Sequence, residues 1–328
     1  MLESFLRYHM ALGFSRLYLF FDDPADPAID IARRLDDGRI TILMAGAQLD
    51  DEWRECAQYG YYAPHLASEV MARQCLNVEV AVQYAVADRL DWLLHIDADE
   101  LFHCPGQDAV THFARLTRKG IERAIYPNFE ALPEQESIGD FFREVTLFKV
   151  NRNLQPGGRF DAARQALADR FTQFPPNFFL FYSNGKSAAR VRPGLMPDGV
   201  HRFHAKRFPR PGDAVAPEAG GEERVIGDAR VLHYACCGYE QFRDKYRTLG
   251  AFGDQWFGKI DIGRSIGNFH LDARNVMAAD DEAQSRAFYR SRAMLDSRDE
   301  IRELVDAGLL VRFDAIARWL DGTRENLP

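Results

Sequence analysis

The segment DWLLHIDADEL (residues 91–101) decides the predicted fold. Its apolar run from Trp92 to Ile96 is typical of a buried strand in a parallel sheet, where both faces of the strand are covered. The run ends in three acidic residues, Asp97, Asp99 and Glu100. Because ligands of open α/β sheets bind at the carboxyl ends of the strands, a binding site is expected at these acids.

A single alanine separates Asp97 from Asp99. Because side chains alternate between the two faces of a strand, both carboxylates are predicted to point the same way. Two carboxylates on one side suit Mg²⁺ or Mn²⁺, and such ions keep open positions for substrate phosphates. The structural alternative is an acidic strand end that caps the next helix or lies in water. Three acids directly after a buried strand favour the metal site, because buried charges need a cationic partner.

The composition of the 328-residue chain is ordinary for a soluble globular protein, with 46% hydrophobic and 27% charged residues. The net charge of −8 argues against a nucleic-acid binder that is held by bulk charge. Five cysteines without a Cys-x-x-Cys pair fit free thiols in a reducing compartment. The chain has neither a membrane-length apolar run nor a signal-peptide pattern. We therefore predict a cytoplasmic protein that reaches a membrane only peripherally or through a partner.

The pattern along the chain alternates between helix and strand. Helices are predicted at residues 2–12, 28–37, 65–87, 108–118 and 240–249, and strands at residues 15–21, 39–44, 92–96, 121–126, 146–150, 188–192 and 231–234. The alternation in the first half predicts right-handed crossovers and a mostly parallel sheet. Residues 48–64 and 209–221 are predicted loops, and residues 281–322 are predicted to be helical.

Six segments of the chain, taken together and in order, resemble the glycosyltransferases of families 2 and 92, which share a nucleotide-sugar-binding fold called GT-A. The segments are ESFLRYH (residues 3–9, with Gly13 following), YLFFD (18–22), ARQCLN (72–77), WLLHIDADEL (92–101), GKSAARVRP (185–193, leading to His201) and LHY (232–234, leading to EQFRDK at 240–245). The resemblance implies an α/β protein with a GT-A domain over residues 1–250 and a helical extension over residues 251–328. Within that domain, residues 1–130 would form the nucleotide-binding half and residues 131–250 the acceptor half.

The resemblance implies a divalent metal, Mn²⁺ or Mg²⁺, on Asp97 and Asp99, with His233 as the third ligand. The metal would hold the diphosphate of a nucleotide sugar and offset the charge that grows on the leaving group. A neutral imidazole is a reasonable ligand beside two carboxylates. The structural alternative for His233 is a core histidine bonded to a backbone carbonyl.

Four further residues are expected to contact or support the bound nucleotide. Arg73 matches an arginine on the helix before the acidic strand, and Asp22 ends the matching YLFFD segment. Lys245 could face a phosphate as a point charge, and Glu100 could orient the metal ligands. The structural alternatives are surface positions for Arg73 and Lys245 and a turn cap for Glu100.

The base that activates the acceptor hydroxyl stays open among three residues, His201, Glu240 and Asp198. A histidine has a pKa near the working pH and is suited to this role. The structural alternative for His201 is a histidine that only supports the fold.

One feature departs from the family pattern at the amino terminus. Relatives begin with a central strand that carries a Lys-Asn-Glu-like motif and lines the nucleotide pocket, whereas this sequence starts at the helix that follows that strand. Three explanations stay open: a start codon assigned too late, a later segment that fills the gap, or an incomplete donor site.

The sequence therefore predicts a metal-dependent glycosyltransferase that moves a sugar from a nucleotide-diphosphate sugar to a polysaccharide, glycolipid or other glycan acceptor. One alternative is a nucleotidyltransferase on a similar sheet, which usually needs a glycine-rich basic loop near the first strand; no such loop is present. The other alternative is a catalytically impaired sugar-binding or scaffold protein of the same fold, which the absent first strand suggests.

Overall fold

A computed structural model describes residues 1–151, 179–204, 222–250, 252–263 and 268–322. The helices in chain order are α1 (Leu2–Ala11), α2 (Ala28–Leu35), α3 (Ala47–Arg54), α4 (Tyr59–Tyr62), α5 (Val70–Ala87), α6 (Ala109–Arg118), α7 (Phe141–Glu144), α8 (Tyr239–Leu249), α9 (Phe269–Ala278), α10 (Glu282–Arg292), α11 (Arg298–Asp306) and α12 (Ala315–Leu320). The strands are β1 (Leu17–Phe21), β2 (Ile40–Met44), β3 (Trp92–Leu94), β4 (Glu100–His103), β5 (Ile121–Tyr126), β6 (Asn128–Ala131), β7 (Leu147–Lys149), β8 (Lys186–Arg190), β9 (Pro197–Asp198), β10 (Arg202–Phe203), β11 (Glu222–Val225), β12 (Arg230–His233), β13 (Gln255–Trp256), β14 (Ile260–Asp261) and β15 (Leu310–Arg312).

The predicted α/β class is confirmed, but the prediction of a mostly parallel sheet is wrong for the described strands. β1 pairs with β2 in parallel. A second sheet has the order β11-β5-β8-β3, and β8 runs antiparallel to both of its neighbours. A third sheet, β15-β7-β6-β12-β4, contains only one parallel pair, β6 with β12. β8 comes from the second half of the chain, so the crossover rule for consecutive strands does not set its direction.

Most predicted elements of the first 126 residues are present, with shifted ends. The strand predicted at residues 92–96 ends at Leu94, and the helix predicted at residues 65–87 begins at Val70. α3 lies inside the predicted loop at residues 48–64, and β15 lies inside the region predicted to be helical. The loop predicted at residues 209–221 falls outside the described residues.

Two hydrophobic clusters organise the core. The larger one joins α1 and α6 to the strands, for example through Phe5, Phe102 and Phe113. The second cluster packs α8 against α9 and α10 through side chains such as Phe242 and Tyr289. All five cysteines are buried free thiols, distributed over these clusters and a third one beside α5. In the part of the chain that the structure covers, no helix is long and apolar enough to cross a membrane.

β1 and β3 are less buried than their apolar sequences predict. Every residue of both strands is intermediate in exposure. Among the described strands, β1 hydrogen-bonds only to β2, and β3 only to β8. A cavity of about 640 Å³ lies between the two strands and is lined along the full length of both. Among the described residues, no strand lies between β1 and β3.

His9 on α1 is a buried histidine whose hydrogen bonds favour the neutral form of its ring. Its Nε2 accepts the backbone N–H of Phe102 at 3.2 Å, and its Nδ1 therefore donates to the carbonyl oxygen of Phe5 at 2.9 Å. Burial lowers the pKa of His9 from 6.5 to about 4, against the opposing effect of the Phe5 carbonyl. Protonation would replace the acceptor at Nε2 with a second donor, so the folded state resists it.

We expect the protein to lose stability as the pH falls from 6.5 to 4, partly through His9. The unfolded chain binds a proton at a higher pH than the folded chain, so the free energy of unfolding decreases through this window. A pKa difference of about 2.5 corresponds to about 3 kcal/mol. Urea unfolding of wild type and His9→Gln at several pH values measures the effect, and the variant is expected to show a shallower decrease. An identical decrease in both proteins would contradict the role of His9.

Candidate functional site

The acidic segment forms a tight turn between β3 and β4, at the carboxyl end of β3. The backbone N–H of Glu100 donates to the carbonyl oxygen of Asp97 at 3.0 Å. The fully buried Glu100 carboxylate accepts the backbone N–H of Asp97 at 2.7 Å and closes the turn from the other side. The backbone N–H of Tyr234, which follows β12, donates to the carbonyl oxygen of Asp99 at 2.8 Å and joins the turn to the third sheet. Glu100 thus holds the shape of this turn, which is the structural role considered for it.

Two lysines neutralise the two aspartates. Lys186, which begins β8, is fully buried, and its Nζ lies 2.7 Å from Asp97 Oδ2 and 3.6 Å from Glu100 Oε2. Lys245 on α8 places its Nζ 2.8 Å from Asp99 Oδ2. Gln74 on α5 donates to the other oxygen of Asp97 at 2.8 Å. Both aspartate side chains stay partly exposed, at 28% for Asp97 and 19% for Asp99. The cluster is therefore charged, paired and open to a ligand.

The lysines hold both aspartates in the ionised form. Burial raises the pKa of Asp97, but the Lys186 ammonium outweighs this effect and leaves the pKa well below its usual range. Burial likewise raises the pKa of Asp99, and Lys245 and His233 bring it below the usual value. Glu100 differs, because burial and the two neighbouring aspartates raise its pKa to about 8 despite the opposing Lys186. At neutral pH, the turn therefore carries two negative carboxylates, Asp97 and Asp99, beside the ammonium groups of Lys186 and Lys245.

Two histidines flank the ring of Tyr182 beside the acidic turn. The centroid of the Tyr182 ring lies 4.3 Å from that of His201 and 4.9 Å from that of His233, and its hydroxyl donates to Glu100. Burial lowers the pKa of His233 to about 4 and that of His201 well below 6.5. The Nδ1 atoms of both histidines are buried, and no residue that the structure describes forms a hydrogen bond with them. Both rings are therefore neutral near pH 7, and each keeps one nitrogen lone pair.

The donor set partly fits a divalent metal. His233 Nε2 lies 3.8 Å from Asp99 Oδ1, the oxygen that Lys245 does not contact. Two ligands at about 2.1 Å from one ion can be up to about 4.2 Å apart, so this pair fits a single cation. Both oxygens of Asp97 are engaged by Gln74 and Lys186. Accordingly, no three His, Cys, Asp or Glu side chains in the described ranges converge as a ready metal site.

Arg73 and Asp22, two residues predicted to contact the nucleotide, pair with each other. Arg73 on α5 contacts Asp22 Oδ2 at 2.8 Å, just after the end of β1. Together with Gln74 and Asp97 they line the polar end of the cavity between β1 and β3. The charged groups at the carboxyl ends of the two strands thus share one opening.

Glu240 and Asp198, the other two residues considered for the base, lie on the surface. Glu240 is 55% exposed and pairs with Arg243 and Arg286. It is five residues from Lys245 on α8, which places it about 140° around the helix from the side chain that contacts Asp99. Asp198 is 61% exposed and lies 3.8 Å from His204. Of the three residues, His201 lies nearest to the acidic turn, because its ring contacts that of Tyr182, whose hydroxyl donates to Glu100.

The sequence analysis did not assign Tyr182, Gln74 and Lys186 to the site. Lys186 belongs to the GKSAARVRP segment, in which the sequence pattern indicates no role for it. Its full burial distinguishes it, and a buried ammonium indicates a carboxylate partner. Gln74 adjoins Arg73 in the ARQCLN segment, whereas nothing in the sequence around Tyr182 indicates its role.

A second buried ion pair positions the segment that carries Tyr182. Lys149 Nζ lies 2.7 Å from Glu130 Oε1, and the two side chains are 1% and 2% exposed. The Glu130 carboxylate also accepts the backbone N–H groups of Leu180 at 3.0 Å and Phe181 at 2.9 Å. Because Tyr182 follows directly, this pair fixes the position of the ring between the two histidines.

Two curated relatives are similar to the chain, and no family model matches it. Both are Arabidopsis thaliana proteins, named Glycosyltransferase-like At2g41451 and Glycosyltransferase-like At3g57200. The first is 27% identical over 320 residues, which cover 94% of this chain and 66% of the relative. The second is 29% identical over 327 residues, which cover 94% of this chain and 58% of the relative. The chain thus spans about three fifths of the length of these relatives.

Proposed function

We propose that the protein is a glycosyltransferase that takes a sugar from a nucleoside-diphosphate donor and passes it to a glycan or lipid-linked acceptor. The observation that carries this proposal is the partly exposed cluster of Asp97, Asp99, Lys186 and Lys245 at the carboxyl end of β3. The similarity to two glycosyltransferase-like proteins over 94% of the chain supports it. We also propose the GT-A type of fold for this enzyme.

The charges of the cluster suit a diphosphate leaving group. Lys186 and Lys245 are close to both aspartates, and their ammonium groups can turn from the carboxylates to the oxygens of a bound diphosphate. Mn²⁺ or Mg²⁺, bound by Asp99 and His233 and by Asp97 after it exchanges a partner, would supply a Lewis acid for the leaving group. Arg73 and Asp22 lie at the same opening, where they can orient the nucleotide. These residues bind and orient the donor.

His201 is the base that the arrangement favours for the acceptor hydroxyl. Its ring is neutral because burial and Lys186 lower its pKa, and its Nδ1 has no hydrogen-bond partner among the described residues. The neutral imidazole keeps a nitrogen lone pair for the proton of an acceptor hydroxyl, but its lowered pKa makes it a weaker base than an exposed histidine. Glu240 and Asp198 are less suited because they lie in solvent.

A sugar-binding protein without transfer activity is the second candidate function. The open cavity between β1 and β3 favours it, because no described strand closes this side of the donor site. Such a protein would still bind a nucleotide sugar at the acidic turn but would not break the glycosyl bond.

Thermal unfolding with a panel of UDP-, GDP- and dTDP-sugars, with and without Mn²⁺, tests the proposal. A donor that binds the folded state at a hundred times its dissociation constant adds about 2.7 kcal/mol to stability and raises the melting temperature by several degrees. The same mixtures are assayed for released nucleotide, since a transferase slowly hydrolyses its donor. Stabilisation without nucleotide release would favour the sugar-binding protein, and a panel without any stabilising donor would contradict both candidates.

A further inference from the structure

The hairpin β13–β14 reaches from the carboxyl-terminal part of the chain back to the amino end of α5, beside the polar end of the cavity. We propose that this hairpin belongs to the donor site: its tip residue Phe257 is held by Glu69, and this contact positions Arg73 for the nucleotide. Glu69 is then a positioning residue that acts through Arg73. The inference rests on the proposed function, in which Arg73 orients the bound donor.

Phe257 occupies the tip of the hairpin in a backbone conformation that is unfavourable for a residue with a side chain. Its φ angle is 53°, and that of the following Gly258 is 65°. The backbone N–H of Lys259 donates to the carbonyl oxygen of Trp256 at 3.1 Å and closes the turn. Two successive positive φ angles fit a type I′ turn, in which asparagine, aspartate or glycine usually stands where Phe257 does. A phenylalanine persists in this conformation only where the surrounding contacts hold it there.

Two kinds of contact hold the tip against the segment before α5. Both carboxylate oxygens of Glu69 accept the backbone N–H of Phe257, at 2.8 and 2.9 Å. The Glu69 side chain is only 11% exposed, so this charge-assisted hydrogen bond is largely shielded from water. The ring of Phe257 packs against three aromatic rings at centroid distances of 6.3, 5.6 and 5.5 Å, those of Tyr61, Tyr62 and His65.

The segment that receives the hairpin tip also holds Arg73. Arg73 follows Glu69 by one helical turn, and its Nη1 donates to the carbonyl oxygen of Leu66 at 2.6 Å. Leu66 and Phe257 pack against the same hydrophobic cluster beside α5. The Nε and Nη2 atoms of Arg73 donate to Asp22 at 3.1 and 2.8 Å, at the polar end of the cavity. The guanidinium group thus joins the segment under the hairpin to the opening of the donor site, and a shift of that segment would move it.

The base of the hairpin is anchored in the hydrophobic cluster around α8. Ile262, directly after β14, is fully buried in this cluster, and Phe252, shortly before β13, belongs to it as well. The same helix α8 carries Lys245, one of the two lysines of the acidic turn. The hairpin therefore connects the helices behind Lys245 to the segment that holds Arg73, and so it links two cationic groups of the candidate donor site.

Three variants of the full chain separate the contact at the hairpin tip from the fold as a whole. Glu69→Leu removes the acceptor of the Phe257 N–H, and Phe257→Ala removes the ring from its aromatic neighbours. Glu69→Gln is the matched control, because its amide oxygen can still accept the N–H. Isothermal titration calorimetry with UDP or GDP in the presence of Mn²⁺ is expected to show at least about tenfold weaker affinity in the first two variants and nearly wild-type affinity in Glu69→Gln. Affinity for Mn²⁺ alone is expected to stay unchanged, because no substitution alters Asp99 or His233.

Hydrogen exchange without any ligand provides the second measurement. Peptides that cover residues 59–73 are expected to exchange at least about tenfold faster in Glu69→Leu and in Phe257→Ala than in wild type. Exchange in a peptide that covers β5, in the core, is expected to stay the same in all forms. This comparison shows whether a variant has released the hairpin tip or has lost its fold.

Faster exchange in residues 59–73 together with weaker nucleotide binding would support the proposal. Wild-type nucleotide affinity in Glu69→Leu and Phe257→Ala would overturn it, and so would unchanged exchange in that segment. An equal loss of affinity for Mn²⁺ and for the nucleotide would also overturn it, because it would show a general structural effect. Wild type that binds no nucleotide would contradict the proposed function and this inference together, whereas normal binding in the released variants would contradict the inference alone.

Discussion

Asp99→Asn is expected to abolish metal-dependent nucleotide binding, with at least a hundredfold loss of affinity for UDP or GDP in the presence of Mn²⁺. The substitution keeps the shape of the side chain but removes the charge that faces His233 across 3.8 Å. An amide oxygen is a much weaker ligand for a hard cation than a carboxylate. The substitution also removes the ion pair with Lys245, whose ammonium group can then be hydrated because its side chain is 24% exposed. Isothermal titration calorimetry of the nucleotide with and without Mn²⁺ measures the effect.

Two matched variants make this result specific. Glu240→Gln removes a surface carboxylate that is 55% exposed and paired with two arginines. This variant is expected to bind the nucleotide like wild type. His233→Ala is expected to weaken metal affinity by at least about 10–100-fold. This range is typical for the loss of a group that supports a metal ligand, and the loss of a ligand itself costs at least as much. Circular dichroism confirms that each variant is folded. Wild-type affinity in Asp99→Asn would remove the metal from the proposed function.

Lys149→Met is expected to lower the free energy of unfolding by about 3–5 kcal/mol, the largest effect on stability that we predict for a single substitution. Lys149 and Glu130 are 1% and 2% exposed, so the variant leaves a carboxylate without its cation in the core. Glu130 would keep the N–H groups of Leu180 and Phe181 but would lose the ammonium group that offsets its charge. Urea unfolding monitored by tryptophan fluorescence measures the loss.

The surface pair of Arg302 and Asp299 provides the control for this prediction. Its side chains are 70% and 89% exposed, and Arg302→Met is expected to change stability by less than about 0.5 kcal/mol. The double variant Glu130→Gln with Lys149→Met should recover part of the loss, because no unpaired charge remains. A loss below about 1 kcal/mol in Lys149→Met would show that water reaches Glu130.

Local patterns in the sequence predict the elements that surround the candidate site and point to its acids, and the resemblance adds His233. The run from Trp92 and the acids after it locate the end of a strand beside the candidate site. The helix and strand patterns up to residue 126 give most of the described elements in the first half of the chain. These features depend on neighbouring residues, and for that reason they are visible in one sequence.

The pairing of the site residues depends on contacts between distant parts of the chain. Asp97 meets Lys186 across 89 positions, and Asp99 meets Lys245 across 146. Nothing local to either lysine indicates which carboxylate it contacts. The direction of β8 has the same origin, because a strand that returns from far along the chain is not constrained by a short connection. Long-range pairing is therefore the part of this site that sequence patterns did not provide.

The five buried thiols make the protein suitable for measuring where it opens. Burial raises the pKa of each thiol, to about 11 for Cys75 and to about 12 for Cys104 and Cys236, so alkylation by iodoacetamide in the native state should be slow. Cys75 belongs to the cluster beside α5, Cys104 to the main core and Cys236 to the cluster around α8. The labelling rates at these three cysteines therefore report separately on the local unfolding of three regions of the protein.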